Sequence, residues 1–215
     1  MPFLNEFLLI ASVHLLAVAS PGPDFAIILK QSLRFGRKTA LYTSLGIGSG
    51  ILVHVAYSLV GIGVLIASDE RLYTVLKYIA ASYFLYLAWH GLRAKKPTEI
   101  KEEQLSQCEQ QPSNKKAYLT GFLINGLNIK ATLFFVSLFS MVISPTTPID
   151  IKLAYGLYMA FATALWFSFL SVLLGHNIIR HRLLAYGYWL DRVMGGVLLL
   201  LAIQLLLSDL NSSLV

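Results

Sequence analysis

Two prolines, a glycine and an aspartate form a short cluster near the start of the chain. Pro21 and Pro23 bracket Gly22, and Asp24 follows directly. Because proline lacks a backbone N–H and clashes with the preceding helical turn, this segment blocks a regular helix. Asp24 then falls in the first turn of the next helical segment, where the helix dipole favours a negative charge. The cluster predicts either a kink capped by Asp24 or a discontinuous helix that forms a solute site.

A second polar cluster interrupts an apolar stretch in the other half of the chain. Asn125, Gly126 and Asn128 precede Lys130, the only formally charged residue between positions 117 and 143. A lysine inside a membrane costs about 2.5–3.5 kcal/mol on insertion scales, and such residues usually have a function. Lys130 is therefore predicted to bind a substrate carboxylate, an acidic side chain of the protein or helix carbonyls.

Histidine and cysteine give weaker signals. His14, His54 and His90 each stand alone in an apolar segment and are interpreted as hydrogen-bonded packing residues, with His54 as the candidate proton relay. The single cysteine, Cys108, excludes an internal disulfide and a thiolate metal cage. The chain contains no G-x-S-x-G, H-E-x-x-H or P-loop pattern, so it predicts no catalytic residue, no metal, no cofactor and no enzyme.

The composition of the chain indicates the class of structure that positions these residues. The chain has 215 residues, of which 56% are hydrophobic and only 13% are charged, whereas a soluble domain carries about 25% charged residues. A surface that faces water cannot be built from so few charges, so most of the surface must face lipid. The net charge of +6 does not indicate a nucleic-acid partner, because the basic residues lie between apolar runs.

Six segments are long and apolar enough to span a bilayer, which requires about 20 residues. They are residues 7–23, 39–68, 72–92, 117–143, 153–179 and 193–207. The first is interpreted as a retained helix, because no basic residues precede it as they would in a signal peptide. The sequence therefore predicts an all-α polytopic membrane protein with six transmembrane helices.

The polar segment 94–116 divides the chain into two halves, residues 1–93 and 117–215, with three predicted spans in each. Its lysines, glutamates and glutamines cannot bury apolar surface, so it is predicted to be a linker loop. Because three is an odd number of spans, the second half enters the bilayer from the side opposite to the first half. This arrangement indicates an inverted repeat. Twelve of the fourteen loop cations lie on one side, which predicts a cytoplasmic linker and both termini outside.

Three segments together resemble the lysine exporter (LysE) superfamily, in its threonine and homoserine efflux branch, over nearly the whole chain. They are Ser-Pro-Gly-Pro-Asp-Phe at 20–25, the Gly-Phe-Leu-Ile-Asn segment that begins at 121 and runs to Ala131, and Leu-Asp-Arg-Val-Met-Gly-Gly at 190–196. One departure matters: the family has Asn-Pro-Lys in the fourth span, whereas this chain has Ile129 in place of the proline. The sequence therefore does not decide whether a second helix break is present or which range of substrates is transported.

The resemblance implies proton-linked export of neutral amino acids, such as threonine or homoserine, across the bacterial cytoplasmic (inner) membrane. Asp24 and Lys130 supply the opposite charges that a zwitterion needs. For straight spans, however, the helical rise separates the two residues by about 15 Å in depth, which a small amino acid cannot bridge. Either the first span is tilted or re-entrant, or the two residues act at different stages.

The expected partners are the amino-acid substrate, protons and lipid, with a homodimer as one option for the assembly. A channel or carrier for another small solute is the alternative function. A metal exporter is disfavoured, because the histidines are scattered and the lone cysteine lies in a loop.

Overall fold

The computed structural model describes residues 2–68, 70–95, 110–144 and 146–213, so Cys108 and most of the predicted 94–116 linker lie outside the described residues. All regular structure within these ranges is helical. The helices are α1 (Pro2–Ala19), α2 (Pro23–Ser68), α3 (Glu70–Leu92), α4 (Asn114–Gly126), α5 (Ile129–Val142), α6 (Ile149–Leu173) and α7 (Asn177–Ser213). The predicted all-α class is confirmed for this part of the chain.

Apolar helices of membrane-spanning length make the protein a multi-pass membrane protein. Within the described ranges, Pro23–Gly61, Ile149–Leu173 and Ile178–Gln204 are each long and apolar enough to cross a bilayer. The pair α4 and α5 forms a fourth candidate, bent by 57°, and Phe3–Ala19 is a shorter apolar helix. Large apolar side chains point outward along these helices, among them Phe161 at 68% exposure and Leu200 at 69%. Such side chains suit a surface in contact with lipid.

Two basic segments that separate predicted spans are helical rather than open loops. The stretch that includes Arg34 and Arg37 belongs to α2, which bends at Gly36 with φ 81° and ψ 175°. Only glycine adopts such a backbone without strain. Arg180 and Arg182 belong to α7, which begins at Asn177 rather than at the predicted 193. Lysine and arginine are good helix formers, so charge alone does not end a helix.

The helices pack around two apolar clusters. The larger cluster draws on every helix except α4 and includes Ile10, Phe84, Leu138, Met159 and Leu198, each fully shielded from solvent. The smaller cluster joins α2 to α6 through Ile28, Ile47 and Leu170. The most extensive helix contacts are those of α2 with α4 and α6, followed by those of α3 with α7.

The crossing of α2 and α4 depends on Gly46 and Gly50, which lie one helical turn apart on α2. A Cβ at Gly46 would collide with the carbonyl of Tyr118 and lie 2.8 Å from the backbone nitrogen of Phe122. Because membrane helices associate through close packing rather than through hydrophobic burial, small residues at the crossing allow the two backbones to touch. The two glycines therefore allow α2 and α4 to pack closely, with Gly50 beside Asn125 and Gly126 at the end of α4.

Candidate functional site

The first helix break lies where the two prolines predict it. α1 ends at Ala19 and α2 begins at Pro23, which leaves Ser20, Pro21 and Gly22 outside regular helix. Pro23 takes the first position of α2, where its missing N–H would have no intrahelical partner. Asp24 lies in the first turn of α2, as predicted. The chain therefore presents a carboxylate at a helix N-terminus that lies inside the helix bundle.

The second break is present even though the family's proline is absent. α4 ends at Gly126, α5 begins at Ile129, and the two axes differ by 57°. Asn128 caps α5, and its Oδ1 accepts a hydrogen bond from the backbone nitrogen of Ala131 at 3.3 Å. Asparagine is among the best N-cap residues, so it starts a new helix without proline. Ile129 takes the first helical position, which is where a proline would be tolerated.

The two breaks face each other, and their polar residues make contact. Nδ2 of Asn125 donates a hydrogen bond to Oδ2 of Asp24 at 3.0 Å. Asn128 lies beside the same carboxylate, and the ammonium of Lys130 attracts it electrostatically. The depth separation expected for straight spans is therefore wrong, because both chain segments are broken and turn toward one another.

Two oxygen atoms at this junction are left without hydrogen-bond donors among the described residues. They are Oδ1 of Asp24 and Oδ1 of Asn125, and both are buried. A buried acceptor without a donor costs about 1–3 kcal/mol, so such groups usually mark a place where another group binds. The pair can accept hydrogen bonds from an N–H or O–H donor that enters the site.

A cleft opens at this junction, and we call it the central cleft. The predicted site residues that line it are Gly22, Pro23, Asp24, Asn125, Asn128 and Lys130. Pro21 instead faces the neighbouring clefts on the other side of the break. Apolar side chains from α2, α5 and α6, such as Phe25, Phe134 and Phe167, form most of the remaining wall.

Gly50 and His54, both on α2, contact Asn125. A Cβ at Gly50 would lie 2.7 Å from Oδ1 of Asn125 and 3.1 Å from the backbone nitrogen of Gly126. One turn further along α2, Nε2 of His54 donates a hydrogen bond to the carbonyl of Asn125 at 2.8 Å. Nδ1 of His54 accepts a hydrogen bond from the hydroxyl of Tyr57. His54 therefore does not line the central cleft but contacts it through Asn125.

His14 is a residue of the central cleft that sequence reasoning treated only as packing. It is fully buried, its Nε2 lies 3.1 Å from the hydroxyl of Thr163, and its Nδ1 has no hydrogen-bond partner in the described part of the chain. His14 shares a face of α1 with Ala17 and Val18, which also line the cleft. This spacing of three and four residues was the available signal.

The rings of His14 and His54 flank the same phenylalanine. The ring centroid of Phe135 lies 6.0 Å from that of His14 and 5.6 Å from that of His54. His90, the third histidine of the apolar segments, is exposed on α3 and its Nδ1 donates to the carbonyl of Tyr86 at 2.9 Å. Within the described residues, no group of three or more His, Cys, Asp or Glu side chains could hold a metal ion.

Comparison with known proteins gives the same family as the motifs. The sequence profile described as LysE type translocator matches residues 15–209. The threonine efflux protein of Escherichia coli (strain K12) is 27% identical over 205 residues, which cover 95% of this chain and 99% of that protein. An uncharacterized membrane protein of Haemophilus influenzae is 28% identical over 200 residues, which cover 93% and 95% of the two chains.

A third relative extends the comparison. The uncharacterized membrane protein YrhP of Bacillus subtilis is 28% identical over 179 residues, 80% of this chain and 85% of its own length. No solved structure matches the chain. The profile and the relatives indicate a transporter rather than an enzyme. Because the matched segment contains both helix breaks and all the residues predicted for the site, the chain belongs to the LysE-type translocator family.

Proposed function

We propose that this protein exports neutral α-amino acids, similar to threonine or homoserine, from the cytoplasm. The observation that carries the proposal is the pair of opposite charges at the two facing helix breaks, Asp24 and Lys130, in one cleft. An α-amino acid is a zwitterion, so its ammonium suits Asp24 and its carboxylate suits Lys130. The unpartnered oxygens of Asp24 and Asn125 are both acceptors, as an ammonium requires.

The lining of the central cleft favours neutral side chains over charged ones. Among the described residues that line it, only Asp24 and Lys130 carry a formal charge, apart from the titratable His14. Once those two hold the backbone groups of a substrate, a charged substrate side chain has no counter-ion left. The hydroxyl of Thr163 can bind a hydroxyl group, while the phenylalanines accept aliphatic parts.

Proton coupling is part of the proposal and places the titrating group at Asp24. Protonation of this carboxyl removes the charge that holds the ammonium, so proton binding and amino-acid binding would exclude each other. His54 remains the proposed relay, since Tyr57 extends its hydrogen bonds away from the cleft and Asn125 links it to Asp24. The driving force is then the proton gradient across the bacterial inner membrane.

The inverted-repeat architecture and the membrane orientation are also proposed. In support, each predicted half (1–93 and 117–215) begins with a broken helix. The helix contacts also keep their pattern when the halves are exchanged: α1 contacts α6 and α7, while the α4–α5 unit contacts α2 and α3. The excess of basic residues in the 94–116 linker supports a cytoplasmic linker and external termini.

Transport by purified protein in proteoliposomes tests the function. Vesicles loaded with unlabelled L-threonine should accumulate labelled L-threonine by counterflow, because a carrier exchanges substrate through one site. Imposing a proton gradient should then speed net efflux. Uptake without counterflow would instead support the alternative, a channel for small solutes.

Charge substitutions connect this transport to the central cleft. Asp24→Asn and Lys130→Gln should each lower kcat/KM at least tenfold, with amounts of folded protein close to wild type. Lys77→Gln is the matched control, since Lys77 is a lysine of α3 that does not line the cleft. Equal losses of kcat/KM in all three variants would show that Asp24 and Lys130 contribute to folding and not to substrate binding in the central cleft.

A further inference from the structure

Asp191 of α7 lies at the first helix break but outside the central cleft. The hydroxyl of Ser20 donates a hydrogen bond to Oδ1 of Asp191, which joins residues far apart in the chain. The backbone at this point is held by a close crossing of α3 and α7, where a Cβ at Gly91 would lie 2.5 Å from the carbonyl oxygen of Asp191. The position of Asp191 is therefore set by packing.

The carboxylate of Asp191 has no cationic partner in the described part of the chain, although an arginine follows it directly. Nε of Arg192 donates instead to the carbonyl of Ala94 at 3.1 Å. The guanidinium of Arg192 lies 5.0 Å and 5.1 Å from the ring centroids of Tyr188 and Trp189. A half-buried carboxylate that receives one hydroxyl donor keeps most of its charge uncompensated, and so it attracts a cation.

A second cleft, which we call the side cleft, connects Asp191 to the central cleft. It is lined by Ser20, Pro21, His90, Lys130 and Asp191, among others. Ser20 and Lys130 line both clefts, so the two share a wall. Lys130 therefore faces one carboxylate in each cleft, Asp24 in the central cleft and Asp191 in the side cleft.

A third cleft continues from Asp191 toward the linker. Pro21 and Asp191 line both the side cleft and this outer cleft, which also includes Lys95. Lys95 belongs to the start of the 94–116 segment, for which we propose a cytoplasmic location. The side cleft then lies between the cytoplasm and the central cleft, and a solute leaving the cytoplasm reaches Asp191 before Asp24.

We propose that Asp191 and Lys130 form a second binding subsite for a zwitterionic amino acid in the side cleft. The inference rests on the proposed function, because it takes the same substrate class. The ammonium binds Asp191 and the carboxylate binds Lys130. The ammonium then moves from Asp191 to Asp24 while Lys130, which both clefts share, keeps the carboxylate. Because one lysine serves both subsites, a chain holds one amino acid at a time.

The rival explanation is that Asp191 only fastens α7 to the helix break through Ser20. Two substitutions separate these roles. Asp191→Asn removes the charge but keeps an Oδ1 acceptor for the Ser20 hydroxyl, whereas Ser20→Ala removes the hydrogen bond but keeps the charge. A binding role makes Asp191→Asn the more harmful change, whereas a purely structural role makes Ser20→Ala at least as harmful as Asp191→Asn, because only Ser20→Ala removes the hydrogen bond.

Equilibrium binding of labelled L-threonine to the purified full-length protein tests the subsite. Wild-type protein should bind one molecule per chain. Asp24→Asn should weaken binding at least tenfold yet leave saturable binding up to millimolar concentrations, because Asp191 still holds the ammonium. Adding Asp191→Asn to Asp24→Asn should abolish that remaining binding, whereas adding Ser20→Ala should not. The threonine analogue with a hydroxyl in place of the amine should compete poorly with L-threonine in every variant.

The outcomes separate this inference from the proposed function. If wild type binds threonine but Asp191→Asn changes binding in neither background, or if Asp24→Asn alone abolishes it, the second subsite is overturned and the proposed function stands. If Ser20→Ala reduces binding as much as Asp191→Asn, the structural role replaces the subsite. If wild type binds none of a panel of neutral amino acids, the proposed function itself is overturned.

Discussion

Asn128 starts helix α5 although this chain lacks the family's proline at position 129. Its side chain caps α5, so the helix begins at Ile129 although no proline precedes Lys130. The loss of an N-cap hydrogen bond typically costs about 0.5–2 kcal/mol. The side chain of Ile129 is 73% exposed and does not line the central cleft. We therefore expect position 129 to tolerate substitution and position 128 not to.

We therefore predict opposite outcomes at these neighbouring positions. Ile129→Pro should keep or raise threonine export, because proline fits the first helical position and stiffens the break. Asn128→Ala should lower kcat/KM at least fivefold, because the cap and the amide beside Asp24 are both lost. Transport in proteoliposomes measures both changes. Loss of folded protein in Ile129→Pro would mean that α4 and α5 must be able to form one continuous rod.

Gly50 allows a second residue-scale test. Gly50→Ala should push the Asn125 side chain away from Asp24 and lower kcat/KM at least tenfold, since the added Cβ would lie 2.7 Å from Oδ1 of Asn125. Gly61→Ala is the matched control on the same helix, because nothing lies within 4 Å of a Cβ there. Alanine favours a helix over glycine by about 1 kcal/mol at either site. Equal activity of the two variants would contradict the proposed role of Asn125.

At the scale of helices, the breaks matter because they turn helix ends into binding groups. The α1–α2 break exposes the start of α2, and the α4–α5 break exposes the start of α5, and both starts border the central cleft. A helix N-terminus carries a partial positive charge and unpaired N–H groups. Irregular backbone at membrane depth is stable only where protein or a polar cavity satisfies it.

Removing the first break tests whether this geometry is needed. Pro21→Ala combined with Pro23→Ala should let α1 and α2 join into one helix and abolish export, because Asp24 would turn away from Asn125. The protein should still insert in the membrane, as its apolar segments are unchanged. Pro148→Ala is the control, since Pro148 lies at the exposed start of α6. Unchanged efflux in the double variant would show that the first break is a tolerated kink and is not needed for export.

At the scale of the whole molecule, orientation decides the direction of transport. The predicted six-span topology places twelve of the fourteen loop cations on the side of the 94–116 segment, and loops rich in lysine and arginine favour the cytoplasmic side. We predict that an impermeant thiol reagent labels Cys108 in inside-out vesicles but not in intact cells. Cys108 is the one cysteine of the chain, so the labelling is unambiguous. Labelling of intact cells would reverse the proposed orientation.

The features that could be predicted without the structure are local ones. Hydropathy identified the apolar segments, the two prolines located the first break, and Lys130 stood out as a charge in an apolar run. These features depend on each segment's own preference for lipid or for a backbone shape, so they can be read without knowing the neighbours. Helix ends were predicted less well at 30–38 and 180–192, because a basic segment can form a helix as readily as a loop.

Which side chains contact one another depends on how the helices pack and could not be predicted from the sequence. Asn125 contacts Asp24 across 101 positions of sequence, and Ser20 contacts Asp191 across 171. These contacts depend on close glycine crossings and on the 57° bend between α4 and α5, and neither the crossing partner nor the bend angle is encoded in any one segment. The same packing placed His14 in the central cleft and His54 behind it. Local preferences set where each helix breaks, but packing between distant segments set what each break faces.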